Sequence, residues 1–207
     1  SQVEELARLI AQSRRPMFIF GGGAKHAADE ARTLVKALNA ASFLTYAGRG
    51  ITEIDDPLCY GAMLARPSSA DVIGSADLVI AVGTELSEVD LWRRDLGHKA
   101  SLVRIDLDAA VLADVQNAQH RILGDAKEVL GALTNAVSPQ ESGWKATEVA
   151  QTRTVWRSET DAERPGVVTI CDALRSALPD DTMYFSDMTQ FAYVGKYLIF
   201  EFVRFDA

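Results

Sequence analysis

Three successive glycines, Gly21, Gly22 and Gly23, close the apolar run "PMFIF" and open "GGGAKHAADEA". Glycine lets a backbone approach a phosphate closely, and the N-terminus of a following helix favours an anion. The same residues also suit a plain strand-to-helix turn, and the sequence leaves both readings open. A dinucleotide fingerprint needs Gly-x-Gly-x-x-Gly and an acid ending the second strand. Gly21 and Gly23 fit, but His26 stands at the third glycine and the second strand ends "TYAGRG" without an acid. The pattern argues against an NAD site.

Two further stretches could do chemistry. In "VGTELSEVD", Gly83 and Thr84 follow an apolar strand, so their backbone N–H groups are expected to face a crevice at its end. Glu85, Glu88 and Asp90 lie close in sequence, but nothing fixes their separation, and a solvated loop is the simpler reading. In "RIDLD", Asp106 and Asp108 alternate to one face at a strand end. A carboxylate there can accept hydrogen bonds from a ribose diol, or stand exposed without a ligand. His26, His98 and His120 show no metal spacing and no neighbouring nucleophile. Nucleophile elbow, Walker loop and zinc motif are all absent from the sequence, so no catalytic and no metal-binding residue is assigned.

The elements that would position these residues alternate. An amphipathic helix around residues 3–13 precedes the strand "MFIF". A helix follows, with Ala27, Ala31, Leu34, Val35 and Leu38 at helical spacing, and then the strand "SFLTYA". A short helix starting at Ser68 or Ser69 leads to "DLVIAVG". The strand "SLVRIDLD", a helical turn, the strand "HRILGD" and the helix "AKEVLGALTNAV" complete the series. Near-uniformly apolar strands alternating with helices predict an α/β fold, a doubly wound and mainly parallel sheet with helices on both faces. Ligands in such folds bind beyond the carboxyl ends of the strands. Gly21 to Gly23, Gly48, Gly83, Asp106 and Asp108 should therefore share one edge of the sheet.

The formal net charge is −8 and there is no basic stripe, which excludes a nucleic-acid partner. Cys59 and Cys171 match no metal spacing and read as reduced thiols. The apolar runs are too short to span a bilayer, and the first residues lack the apolar core of a signal peptide. No membrane partner is expected, and a cytoplasmic location is. After Val137 the composition turns polar, so residues 138–165 read as an interdomain linker with a short helix near 146–156. Residues 166–207 read as the truncated start of another domain: a helix, the strand "TMYFSD", and the apolar run "YLIFEFVRF", which could pair with another edge.

The order "PMFIFGGGA", "GRGITEIDDPLCYGAM", "SADLVIAVGTELSEVDLW", "LVRIDLDAAVL", "ILGDAKEVLGAL" resembles the central domain of thiamine-diphosphate-dependent enzymes, the family of acetolactate synthase and the 2-oxo acid decarboxylases. The resemblance covers about residues 1–137. "ALRSALPDDTMYFSDMTQFAY" is similar to the opening of that family's cofactor-binding domain. The resemblance implies a parent enzyme that uses thiamine diphosphate and Mg2+ to decarboxylate or carboligate a 2-oxo acid. It implies a homodimer or homotetramer, with this chain alone inactive. It places Gly21 to Gly23 at a pyrophosphate edge, and Asp106 and Asp125 near ribose or adenine. FAD or ADP could occupy that crevice, although an empty nucleotide site is the stronger expectation. Asp187, Thr189 and Gln190 fall where the diphosphate would be met. The alternative is a non-catalytic module that binds FAD or ADP.

Overall fold

The computed structural model describes residues 1–53, 55–113, 115–179, 182, 185, 187 and 189–198. Five parallel strands form one sheet: β1 (Pro16–Phe20), β2 (Ala41–Leu44), β3 (Leu78–Val82), β4 (Ser101–Asp106) and β5 (His120–Leu123), in the order β2-β1-β3-β4-β5. Every residue of β1, β2 and β3 is buried, as their near-continuous apolar sequences require of strands covered on both faces. Residues 58–61 run beside β2 as the remnant of a sixth strand. Ser42 and Cys59 form a parallel bridge, and the Tyr60 and Leu44 N–H groups donate to the Ser42 and Gly61 carbonyls at 2.8 and 3.1 Å. Counted with this ribbon, the sheet has the 3-2-1-4-5-6 order of the doubly wound nucleotide-binding fold. The chain reverses direction across the sheet between β1 and β3.

Helices cover both faces. On one side α1 (Gln2–Gln12), α2 (Ala28–Leu38) and α6 (Ala126–Ala136) bury Leu6, Ile10, Leu34, Leu38, Leu130 and Leu133 against Phe18, Phe20, Ile80 and Ile105. The other face, built on Met17, Ile19, Phe43, Val79 and Leu102, is covered by α3 (Ser69–Gly74) and α7 (Ala146–Glu163). Short helices α4 (Glu88–Leu91) and α5 (Ala109–Leu112) lie in the β3–β4 and β4–β5 connections. A 3₁₀ turn, Gly22–Ala27, stands where the sequence suggests that the second helix begins. The α-helix starts only at Ala28 and ends on Asn39 in the left-handed conformation (φ 44°).

The polar segment 138–165 is a packed part of this body. Helix α7 runs 18 residues, well beyond the short helix the sequence suggests, and buries Val149, Trp156 and Thr160. The Trp144 indole donates to the Pro16 carbonyl at 2.8 Å. Arg15 stacks on Trp144 and pairs with Glu148 at 2.8 Å. Arg66, with only 8% of its side chain exposed, reaches Glu159 at 2.7 Å and Glu163 at 2.8 Å. Phe43 and Tyr60 stack on each other beneath α7, whose Trp156 meets both rings at a tilt. The α3 N-cap is Ser68, but its hydroxyl accepts from the Trp156 indole at 2.7 Å and does not cap the helix.

Beyond α7, α8 (Val167–Ala177) and α9 (Gln190–Leu198) pack through Val168, Cys171 and Val194. The expected strand at 182–187 and the apolar run at 197–205 lie largely outside the described residues. Both cysteines are free and buried. No helix among the described residues is long and apolar enough to cross a membrane.

Candidate functional site

The loops after β1, β2 and β3 meet at the carboxyl edge of the sheet, and glycines let their backbones touch. A Cβ on Gly21 would lie 2.3 Å from the Gly83 carbonyl oxygen and 2.4 Å from Thr84 Cβ. One on Gly48 would lie 2.1 Å from the Phe20 carbonyl oxygen. Gly83 also has φ +60°, a region other residues seldom adopt. The structure thus brings Gly21, Gly23, Gly48, Gly83 and Thr84 into one interlocked group.

Their hydrogen-bonding groups are engaged within that group. Gly21 N–H donates to the Val82 carbonyl, Gly23 N–H to Gly83 and Gly83 N–H to Ile105, each at 2.9 Å. An N–H already bonded to a buried carbonyl is a poor donor to a phosphate, since binding would first break that bond. Two of the turn's three glycine N–H groups therefore serve loop packing. Gly22 is half-buried and Gly23 exposed, so the rim of the turn still faces solvent.

Buried Arg104 holds the base of the β3 loop. It is 1% exposed and donates through Nη2 to the Thr84 carbonyl at 2.5 Å. The Thr84 hydroxyl accepts from Leu86 N–H at 3.0 Å. Asp90 joins this loop to the one after β2: its carboxylate accepts from Tyr46 N–H and the Ser87 hydroxyl, both at 3.3 Å. Glu85 and Glu88 are exposed, as a solvated loop requires. Arg93 donates to five backbone carbonyls, Leu64 at 2.7 Å, Asp95 at 2.9 Å, Leu96 at 3.0 Å, Leu91 at 3.2 Å and Arg66 at 3.5 Å. Burial pushes its guanidinium below the ordinary arginine value, yet arginine stays charged at neutral pH. This cation ties the loop after α4 to the one after the 58–61 ribbon.

The acidic candidates occupy local roles. Asp106 ends β4 and accepts from Asp108 N–H at 3.0 Å. Asp125 is the N-cap of α6, its carboxylate accepting from Lys127 N–H at 2.9 Å and Glu128 N–H at 3.2 Å. Both stand on the carboxyl edge, Asp106 at the end of the strand beside β3 and Asp125 one strand further out. Asp187, Thr189 and Gln190 are exposed at the start of α9, where the Thr189 hydroxyl accepts from Ala192 N–H at 3.3 Å. Among the described residues no group of three or more His, Cys, Asp or Glu is placed to hold a metal.

Sequence reasoning missed Arg104 and Trp92. Strand alternation sets Arg104 opposite Val103 and Ile105, which reads as solvent-facing in an isolated strand. Trp92 reads as one more apolar residue of a short helix. It caps α4 with φ +52° and meets Tyr193 of α9 edge-on, ring centroids 5.9 Å apart.

Residues 3–133 match the family model described as thiamine pyrophosphate enzyme, central domain. A protein of Pseudomonas aeruginosa named probable 2-ketoarginine decarboxylase is 38% identical over 194 residues, which is 92% of this chain and 34% of that protein. A protein of Methanocaldococcus jannaschii named probable acetolactate synthase large subunit is 31% identical, over 70% of this chain and 26% of its own length. The chain thus spans about a third or less of the curated relatives it matches. An X-ray structure described as a thiamin diphosphate-dependent enzyme of Mycobacterium smegmatis shares the fold. Its TM-score is 0.55 at 22% identity, over 67% of this chain and 28% of that one.

Proposed function

Because the chain belongs to the thiamine pyrophosphate enzyme family, whose central domain it carries, we propose that the whole protein is a thiamine-diphosphate- and magnesium-dependent decarboxylase of a 2-oxo acid. The observation that carries this is the 38% identity to the relative named a 2-ketoarginine decarboxylase, which extends over 92% of the chain. A guanidinium-bearing 2-oxo acid is accordingly the first substrate class to test. Carboligation, the reaction type of the acetolactate synthase relative, is the second.

The described residues that would meet the cofactor are Asp187, Thr189 and Gln190. Thr189 and Gln190 suit a diphosphate because they are exposed polar groups at the start of a nine-residue helix, where the dipole favours an anion; the Asp187 carboxylate, itself an anion, adds no attraction of its own. Bound there, thiamine diphosphate supplies the electron sink for loss of carbon dioxide. The chain's own residues bind and orient. Thr189 holds the first turn of α9, and the interlocked glycines, Arg104 and Asp90 fix the loops of the central domain. No proton transfer is assigned to any residue here, and no magnesium donor is assigned among the described ones.

For the central crevice, FAD or ADP is the second reading, favoured by the strand order and the glycine turn. The engaged Gly21 and Gly23 N–H groups support an empty crevice instead. A homodimer or homotetramer is proposed for the whole protein, on family grounds.

The test supplies the full-length protein with thiamine diphosphate, Mg2+ and a guanidinium-bearing 2-oxo acid. Release of carbon dioxide with the aldehyde one carbon shorter is expected. Release from none of several 2-oxo acids, with the cofactor demonstrably bound, contradicts the proposal. A flavin chromophore freed on denaturation would contradict the empty crevice.

A further inference from the structure

Trp92 is a bulky residue held in the left-handed region, at φ +52°, with its side chain 49% exposed. Residues of this shape rarely adopt that backbone conformation, and such outliers persist where the surroundings over-determine them. Its N–H closes α4 on the Glu88 carbonyl at 2.7 Å. The conformation turns the indole away from the domain core, while its neighbour Leu91 stays buried. Its ring partner is Tyr193, at an interplanar angle of 69°. Edge-to-face contact is a preferred aromatic geometry. Tyr193 lies one turn into α9, its N–H bonded to the Thr189 carbonyl at 3.1 Å.

Both sides of the contact are braced. The loop bearing Trp92 is fixed by Arg104 on the Thr84 carbonyl, by Asp90 on Tyr46 N–H and by Arg93 on five carbonyls. Helix α9 is held from another side by Val168 and Cys171 of α8. We propose that Trp92 is a positioning residue, through which the β3 loop of the central domain sets the first turn of α9 and so orients Thr189 and Gln190 toward the cofactor diphosphate. This rests on the reading that the start of α9 meets that diphosphate. The contact joins two protein side chains and supplies no group to the chemistry, so it should act on cofactor affinity and leave turnover at saturating cofactor unchanged.

The test compares full-length wild type, Trp92→Ala, Trp92→Phe and Val89→Ala. Val89 is a control on the same short helix, 65% exposed. Titration calorimetry with thiamine diphosphate in the presence of Mg2+ gives the dissociation constant, and steady-state kinetics give kcat and KM. Trp92→Ala should weaken cofactor binding about 3- to 10-fold, the range one edge-to-face aromatic pair supports. Turnover at saturating cofactor should stay within about 2-fold. Trp92→Phe should recover most of the loss, and Val89→Ala should show none. Unchanged affinity in Trp92→Ala overturns the proposal. So does a loss that Phe fails to rescue or that Val89→Ala reproduces. A wild-type protein that binds no thiamine diphosphate overturns the underlying reading, and this proposal with it.

Discussion

Replacing Gly21 by alanine should damage the fold more than it damages any ligand site. Gly21 has φ −105°, which any residue adopts, so alanine adds no backbone strain. Its effect on the unfolded chain would even favour folding, by about 0.5 kcal/mol. The new Cβ, however, would lie 2.3 Å from the Gly83 oxygen, 2.4 Å from Thr84 Cβ and 2.8 Å from Thr84 Cα. Relief requires the β3 loop to retreat by about an ångström, to ordinary van der Waals separation. That loop is held through the Gly21, Gly23 and Gly83 N–H bonds and by Arg104. Overpacking against backbone of this kind costs about 3 kcal/mol, leaving a net loss of about 2.5 kcal/mol once the unfolded-state gain is subtracted. For a chain of this size that lowers the melting temperature by about 5–10 °C. Gly22→Ala is the milder comparison, since its Cβ would crowd a single atom, Ala47 Cβ at 2.8 Å, which moves only with its own backbone, and otherwise nothing nearer than 3.6 Å. It should lower Tm by no more than about 3 °C. Thermal unfolding followed by circular dichroism decides the matter. A Gly21→Ala protein melting within about 2 °C of wild type, or a Gly22→Ala protein that suffers as much, would refute the packing role.

Other outcomes follow from α7 and the buried side chains. Arg66→Met should destabilise by about 1–3 kcal/mol, the low end for a buried pair because Glu159 and Glu163 are 40% and 48% exposed and can be rehydrated. Hydrogen exchange should quicken in α7, and an unaltered exchange pattern there would contradict the clamp. Hydrogen bonding to Arg66 holds the Glu163 carboxyl below its ordinary range. For Asp77 burial acts the other way, but bonds from the Ser13 hydroxyl and from the Arg14 and Arg15 N–H groups bring it below its ordinary range too. Both carboxylates stabilise the fold above the ordinary carboxyl range, and that stabilisation is lost as pH falls below about 4. Arg66→Met should therefore show a shallower fall of Tm from about pH 5 to pH 3 than wild type, and an equal slope would count against it. Trp156→Ala should cost about 3–5 kcal/mol, since Trp156 is 1% exposed and stacks near Phe43 and Tyr60; chemical denaturation measures this. Burial pushes the Cys59 thiol up and, with Asp172 adding, the Cys171 thiol up to about 11. Neither thiol should react with a disulfide reagent at pH 8 until the chain unfolds.

Much of the fold was legible because its strands are short, mostly apolar and separated by strong helical periods. "MFIF", "LVIAV" and "SLVRID" have few other places to go than the middle of a parallel sheet. The ribbon at 58–61 was not legible, because "LCYG" is too short to show a period and follows the turn-like "IDDP". Helix α7 was hidden by composition, although Val149, Trp156 and Thr160 are spaced seven and four apart and lie on one helical face. Their environment is a sheet face already half covered, so two apolar anchors, Val149 and Trp156, with buried Thr160 and the two Arg66 ion pairs, suffice to dock a polar helix. Of the site, the glycines and the strand-end acids were legible as positions, but their occupation was not. Whether a glycine N–H faces a ligand or a neighbouring carbonyl depends on which loop lies beside it. Sequence pattern gives no access to that, just as it hides Arg104 reaching the Thr84 carbonyl from the next strand.

Binding of thiamine diphosphate to the full-length protein tests the central claim most directly. Titration calorimetry in the presence of Mg2+ should show saturable binding of one thiamine diphosphate per chain, abolished by chelating the metal. Absence of binding by well-folded protein, with or without Mg2+, would contradict the account.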